Sequence, residues 1–153
     1  MSQIVANIVD VYVFRRSSGG AELLLLERAA GRPLSGTWQS VHGKIEAGET
    51  AWQAALRELR EETGLSPRGF WQIDYVNAFY VAADDVVSMC PCFAAEVAPA
   101  AGVILSDEHT AHRWLPIETA LQELMWPGQR HALREIRDEI IQPGRAEPHL
   151  RIG

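Results

Sequence analysis

Residues 43–65, GKIEAGETAWQAALRELREETGL, decide the fold of this 153-residue chain. Within them, Thr50 and Gln53 match a capping box, and Gly64 stands where a left-handed C-terminal cap belongs. Four apolar residues fall on one arc of about 100° at helical spacing: Trp52, Ala55, Leu56 and Leu59. We therefore predict a helix over residues 50–64 that buries this arc against a sheet.

The opposite side of the predicted helix carries three acidic residues. Glu58, Glu61 and Glu62 are spaced i, i+3, i+4, so their carboxylates project from one face. Neighbouring like charges of this kind cost roughly 0.2–0.5 kcal/mol per pair unless cations neutralise them. Hard divalent cations prefer oxygen ligands. The alternative is a solvated charged face on which Arg57 offsets Glu61.

The residues that flank this face follow a longer pattern. Its nine defined positions are Gly43, Glu49, Arg57, Glu58, Leu59, Glu61, Glu62, Gly64 and Leu65. The pattern resembles the signature of the Nudix hydrolases at every defined position. That resemblance implies a loop, helix and loop that bind Mg²⁺ or Mn²⁺ on a diphosphate-containing substrate.

The resemblance also implies roles for individual residues. The implied metal ligands are Gly43, Glu58, Glu61 and Glu62, with Glu61 also positioning or deprotonating the attacking water. Arg57 and Glu49 complete the implied catalytic set, as the pair that braces the loop against the helix. Further along the chain, Glu108 precedes His109 and Trp114 in an order similar to nucleoside triphosphate pyrophosphohydrolases of the dATP and dihydroneopterin triphosphate type. It is expected as a metal ligand or alternative base, the alternative being a solvated turn acid.

Substrate contacts are expected outside the signature. Lys44 and Arg28 are candidates to bind phosphate through their charge, although either could equally be a surface cation. A nucleobase needs an aromatic or apolar slot with a few polar groups. Trp38 and Tyr80 are candidates for that slot. Three further candidates are Tyr75, Asn77 and Phe79, and several of these side chains must instead belong to the core.

The rest of the chain predicts strands, loops and further helices. Strands are expected at about 4–14, 23–26, 38–41, 71–81, 86–97 and 112–115, and the turn residues 82–85 favour an antiparallel hairpin of the strands at 71–81 and 86–97. A loop is expected at 28–37, helices at 117–125 and 128–141, and a loose polar tail from 143 to 153. This order indicates an α/β (α+β) fold with a mixed sheet between helices. The resemblance implies the Nudix α/β/α sandwich, as a single domain over residues 1–153.

Composition narrows the class of protein. The chain has 47% hydrophobic and 22% charged residues and a net charge of −6. The acidic balance disfavours nucleic acid polymers and anionic membranes, and no apolar run approaches the roughly 20 residues of a membrane span. A cytoplasmic protein is expected. Cys90 and Cys92 are expected to stay unpaired, on the ground that they point to opposite faces of an extended segment.

The sequence is compatible with three functions. The first is hydrolysis of a nucleoside triphosphate, whether ordinary, modified or pterin-linked, to a monophosphate and pyrophosphate. The second is hydrolysis of a dinucleoside polyphosphate, ADP-ribose or a nucleotide sugar. The third is a non-catalytic module that senses a nucleotide, although the complete set of acidic residues favours turnover. The expected partner is a small nucleotide, and a homodimer is compatible with the sequence.

Overall fold

A mixed sheet of eight strands forms the centre of the computed structural model, which describes residues 1–153. Its strands are β1 (Gln3–Val5), β2 (Ile8–Ser17), β3 (Gly20–Arg28), β4 (Trp38–Gln39), β5 (Val41–Lys44), β6 (Gly69–Val81), β7 (Val86–Glu96) and β8 (His109–Pro116). The helices are α1 (Ala51–Thr63), α2 (Ile117–Glu123), α3 (Pro127–Glu135), which continues as a π-helical segment (Ile136–Ile141), and α4 (Glu147–Leu150).

Parallel and antiparallel pairings are combined in this sheet. β1 and β2 both run parallel to β7, whereas β6 pairs with β7 as the predicted antiparallel hairpin. β2 also pairs antiparallel with β3 and β5, and β3 with β4 and β8. The predicted strand over residues 4–14 is therefore two strands, each aligned with a different part of β7.

Alternate residues of β2 face two separate cores, as the pleat of a strand requires. Val11 and Val13 pack in one core with Leu59 of α1. Phe14 packs in the other with Leu133 of α3. Helices thus cover both faces of the sheet, which confirms the expected α/β/α sandwich.

The helix α1 begins and ends as predicted. Thr50 and Gln53 form both hydrogen bonds of the capping box, and Gly64 closes the helix with φ 71°. The expectation that Trp52 lies on the buried arc was wrong, because its side chain is 42% exposed. The small side chain of Ala54 is fully buried instead, which lets the helix lie close to β2 and β5.

The C-terminal tail, expected to be loose, packs against the edge strand β6. Trp71 donates its indole N–H to Glu147 at 2.9 Å, and the backbone N–H of Ile152 donates to the carbonyl of Phe70 at 2.8 Å. Leu150 is buried in the core beneath α3. The expectation was wrong because β6 has unpaired backbone groups on its outer edge and the tail supplies partners for them. No helix of the chain has the length and apolar character that crossing a membrane requires.

Candidate active site

Arg57 joins the loop before α1 to the helix itself. Its Nε donates to Glu49 Oε2 at 2.7 Å and its Nη2 donates to Glu49 Oε1 at 2.9 Å. The same Nη2 donates to the backbone carbonyl of Lys44 at 2.8 Å. These hydrogen bonds hold the pKa of Glu49 below its usual value. The loop is therefore fixed at both ends relative to the first two turns of the helix.

Glu58 lies directly against the backbone of Gly43 on β5. A Cβ atom added to Gly43 would overlap the carboxyl group of Glu58, so any other residue there would displace that carboxyl group. Arg57 Nη1 donates to Glu58 Oε1 at 2.8 Å. Burial raises the pKa of Glu58, against the lowering effect of Arg57. β5 and α1 lie close together here because Gly43 has no side chain. The carboxyl group of Glu58 fills the space that a side chain at position 43 would take.

Glu62 is the most deeply placed carboxylate, with only 2% of the residue exposed. The backbone N–H of His42 donates to its Oε2 at 3.4 Å. Burial, then the charges of Glu58 and Glu108, raise the pKa of Glu62 to about 9. Candidate ligand atoms of Glu62, Glu108 and His109 lie within 4.8 Å of one another. The fold thus brings an acidic residue of a distant loop to the helix.

Glu61 stands apart from that buried group. Its side chain is 59% exposed and accepts a hydrogen bond from Arg57 Nη1 at 3.2 Å. The interpretation of a solvated charged face therefore describes Glu61 but not Glu62. The carboxylates that converge are those of Glu58, Glu62 and Glu108, with Glu61 at the rim of the cluster.

His109 and Gln39 were not among the predicted site residues. His109 is buried beside Glu108, and its Nε2 lies 3.1 Å from the side-chain nitrogen of Gln39. Burial lowers the pKa of His109, and the charge of Arg28 lowers it further. The available signal in the sequence is that His109 directly follows Glu108.

Of the two cations expected to bind phosphate, only Arg28 has its side chain placed near this cluster. The charge of Arg28 acts on both His42 and His109, which flank Glu62. The side chain of Lys44 is exposed, while its carbonyl is held by Arg57. Both residues are therefore near the carboxylates, Arg28 through its side chain and Lys44 through its backbone.

The two aromatic candidates have partners elsewhere. The guanidinium carbon of Arg113 lies 4.0 Å above the ring of Trp38. The hydroxyl of Tyr80 donates to Asp85 at 2.9 Å, within the turn of its own hairpin. No hydrogen bond joins Tyr80 to the glutamates, so the structure does not bring it to the cluster.

The donor set fits a divalent cation. Three carboxylates and the backbone of Gly43 supply only oxygen atoms, which Mg²⁺ and Mn²⁺ prefer. The raised pKa values of Glu58 and Glu62 show that these groups are unfavourable as bare anions. A cation among them would remove that repulsion, and Arg57 supplies only a single positive charge at one side.

The chain is similar to known proteins over most of its length. The NUDIX domain family model matches residues 6–136. An octanoyltransferase of Myxococcus xanthus is 38% identical over 128 residues, which cover 82% of this chain and 35% of that protein. The chain thus spans about a third of the length of that relative.

Two further relatives match over most of both chains. A CTP pyrophosphohydrolase of Escherichia coli is 30% identical, covering 83% of this chain and 84% of that protein. A mouse asymmetrical bis(5'-nucleosyl)-tetraphosphatase is 31% identical, covering 74% of this chain and 77% of that protein. The crystal structure of a Caenorhabditis elegans Ap4A hydrolase has the same fold, with a TM-score of 0.73, 24% identity and coverage of 88% and 96%.

Proposed function

This chain belongs to the Nudix family, and from that membership we propose that it hydrolyses a phosphoanhydride bond of a nucleotide with Mg²⁺ or Mn²⁺ as cofactor. The single observation that carries the proposal is the convergence of Glu58, Glu62 and Glu108 beside Gly43. A charged cluster without function would spread into solvent, whereas Glu62 is buried against two other acids.

Each residue of the cluster then has a role. Glu58, Glu62 and Glu108, with the carbonyl of Gly43, hold the metal ions. A bound divalent cation neutralises charge on phosphate oxygens and lowers the pKa of water. Glu61 takes the proton of the attacking water, since its carboxylate stays exposed at the rim where water and substrate arrive.

Arg57 and Glu49 act by positioning. Their paired hydrogen bonds hold the loop that follows β5 against α1, so that the carbonyl of Gly43 and the carboxylates of the helix lie on the same side. Arg28 and Lys44 contribute positive charge for the phosphates of the substrate, and Trp38 is the aromatic candidate for its organic part. Tyr80, bonded to Asp85 in the hairpin turn, is given no substrate contact. The water oxygen forms the new bond to phosphorus as the bridging oxygen leaves.

The preferred substrate class is a nucleoside triphosphate, which yields a monophosphate and pyrophosphate. The similarity to a CTP pyrophosphohydrolase over four fifths of both chains supports this choice. The second candidate is a dinucleoside polyphosphate, supported by the similarity to a tetraphosphatase at 31% identity. ADP-ribose and nucleotide sugars contain the same diphosphate and complete the panel to be tested.

The experiment is a substrate screen with the purified chain. Nucleoside triphosphates, dinucleoside polyphosphates, ADP-ribose and nucleotide sugars are incubated with Mg²⁺ or Mn²⁺, and pyrophosphate, phosphate and nucleotides are quantified. Pyrophosphate with a nucleoside monophosphate from triphosphates alone supports the preferred class. Cleavage of dinucleoside polyphosphates alone selects the second candidate. Tight binding without any product would make the protein a sensing module.

The proposal extends to the location of the substrate and to the oligomeric state of the protein. A free nucleotide in the cytoplasm is the expected substrate rather than a nucleic acid polymer or a membrane component, in keeping with a net charge of −6. A monomer and a homodimer both suit the cluster, because all its ligands come from one chain. Light scattering of the purified protein distinguishes them, and fractionation of cells that produce it tests the location.

A further inference from the structure

A second cluster of chemically reactive groups lies on the other face of the sheet. Asp10 of β2 aligns with Cys92 of β7 on one side and with His42 of β5 on the other. The expectation that Cys90 and Cys92 point to opposite faces was wrong, because residues two apart on a strand share a face. Both thiols are buried, as is Asp10.

The distances within this cluster suit a shared ligand. The Sγ atoms of Cys90 and Cys92 and a carboxylate oxygen of Asp10 all lie within 4.8 Å of one another. No disulfide joins the two thiols. The thiol of Cys92 donates only to the carbonyl of Cys90, at 3.4 Å. Three potential ligands, one from β2 and two from β7, are thus gathered with few hydrogen bonds among themselves.

A neighbouring hydroxyl has no partner. The Oη atom of Tyr12, a fully buried residue, makes no hydrogen bond, and the same is true of Ser40 Oγ. Burial and then the charge of Asp10 raise the pKa of Tyr12, against the lowering effect of the Ser40 side chain, so its hydroxyl lies near both of these residues. Buried polar groups are normally hydrogen-bonded, and an exception calls for an explanation such as a bound ion or ordered water.

His42 holds the carboxylate of this cluster. Its Nδ1 lies 2.6 Å from Asp10 Oδ1, within a strong hydrogen bond. Burial lowers the pKa of His42, but the bond to Asp10 outweighs that effect and the net shift is upward. An imidazole that donates to a metal-binding carboxylate fixes the orientation of the ligand.

We propose that Cys90, Cys92 and Asp10 form a zinc site, separate from the glutamate cluster, with His42 orienting the carboxylate. Two thiolates select a borderline-soft ion such as Zn²⁺ over Mg²⁺, whereas the all-oxygen set on α1 has the reverse preference. Three protein ligands leave one of four tetrahedral positions for water, and the unpartnered Tyr12 hydroxyl is the group that water would contact.

Zinc binding at this site releases protons and joins strands. A zinc-bound cysteine is a thiolate, so the thiols of Cys90 and Cys92 both lose a proton on binding. Each forms a bond from sulfur to zinc as it loses its proton to solvent, and no electrons are transferred. The bound ion links β2 to β7, so it stabilises the folded chain as structural zinc does.

The test uses the metal-free, full-length protein. Co²⁺ is titrated in the presence of excess Mg²⁺, which occupies the oxygen ligands on α1. The proposal expects a near-ultraviolet absorption band of thiolate-to-cobalt charge transfer that saturates at one equivalent and is lost when Zn²⁺ is added. A folded wild-type protein without that band, or with a Cys90–Cys92 disulfide in its intact mass, overturns the proposal.

Matched variants test which residues bind the cobalt ion that gives this absorption band. The double variant Cys90→Ala with Cys92→Ala should abolish it, and Asp10→Asn should weaken zinc affinity by about tenfold or more. Glu58→Gln removes a carboxylate of the other cluster and should leave the band unchanged. A band that survives in the folded double alanine or double serine variant of Cys90 and Cys92, or that disappears in Glu58→Gln, rejects the assignment. The wild-type titration decides the question even where a variant fails to fold.

Discussion

Arg57 donates two parallel hydrogen bonds of 2.7 and 2.9 Å to Glu49, which lies eight residues before it in the sequence. Both side chains are mostly buried, at 21% and 17% exposure. A third bond from the same guanidinium reaches the carbonyl of Lys44. The pair therefore sets the position of the loop between β5 and α1, next to Gly43, and the fork geometry of the guanidinium cannot be reproduced by another cation.

Arg57→Lys should lower kcat about 10- to 100-fold although the charge is kept, because a lysine cannot bind both Glu49 oxygens and the Lys44 carbonyl together. Steady-state kinetics on the substrate found in the screen measures the effect. Arg60→Lys, at an exposed position of the same helix, is the control and should behave as wild type. Equal rates in the two variants would remove Arg57 from the positioning role.

Glu61→Gln should cut kcat by at least about 100-fold with little change in folding, the range expected when a positioned base is removed. Its exposure of 59% predicts that the melting temperature changes little. Glu123→Gln, which removes an exposed carboxylate on α2, serves as the control. If Glu61→Gln retains the wild-type rate, the base must be another residue of the cluster.

Gly43→Ala should weaken metal binding by about tenfold or more, because the added methyl group would displace the carboxylate of Glu58. Isothermal titration with Mn²⁺ measures the affinity, and circular dichroism verifies the fold. Gly102→Ala is the matched control, since nothing lies within 4 Å of its added Cβ. Wild-type Mn²⁺ affinity in Gly43→Ala would show that Glu58 is not a ligand.

The stability of the metal-free protein should fall as pH rises. Burial, followed by Glu58 and Glu108, raises the pKa of Glu62 from 4.5 to about 9. In the unfolded chain this group loses its proton near pH 4.5, so between these two values the folded state binds more protons. The stabilising contribution is complete below pH 4.5 and is lost as pH rises through 9.

Thermal melts of the metal-free protein from pH 5 to pH 9 test whether stability falls as pH rises. Each kcal/mol lost from the free energy of unfolding should lower the melting temperature by roughly 2–4 °C. Glu62→Gln should flatten the dependence because glutamine has no proton to lose, and saturating Mg²⁺ should flatten it in the wild type. Glu123→Gln should keep the wild-type slope. The prediction fails if wild type and Glu62→Gln have the same slope without metal.

Leu150→Ala should lower the free energy of unfolding by about 2–5 kcal/mol, since a leucine in the core beneath α3 is replaced by a cavity. Ile4→Ala, at an isoleucine that is 71% exposed, should cost less than about 0.5 kcal/mol. Urea denaturation measures both. A loss at Leu150 no larger than that at Ile4 would mean that the tail is not packed in solution.

Local sequence determined the signature helix and the hairpin after it. The capping box of Thr50, the left-handed cap at Gly64 and the turn after β6 depend on neighbours within a few residues, and each is present as predicted. The same spacing placed Glu58, Glu61 and Glu62 on one helix. It could not distinguish the exposed Glu61 from the buried Glu62, because burial depends on what the helix packs against.

Contacts between distant segments were decided by the tertiary structure alone. The approach of Glu108 to Glu62, the tail that covers β6, and the alignment of Asp10 with Cys92 each join residues more than 40 positions apart. Hydrophobic periodicity reports which face of a segment is buried, but it carries no information on which segment covers that face. Strand order and register supply that information, and they are set by the packing of the whole sheet.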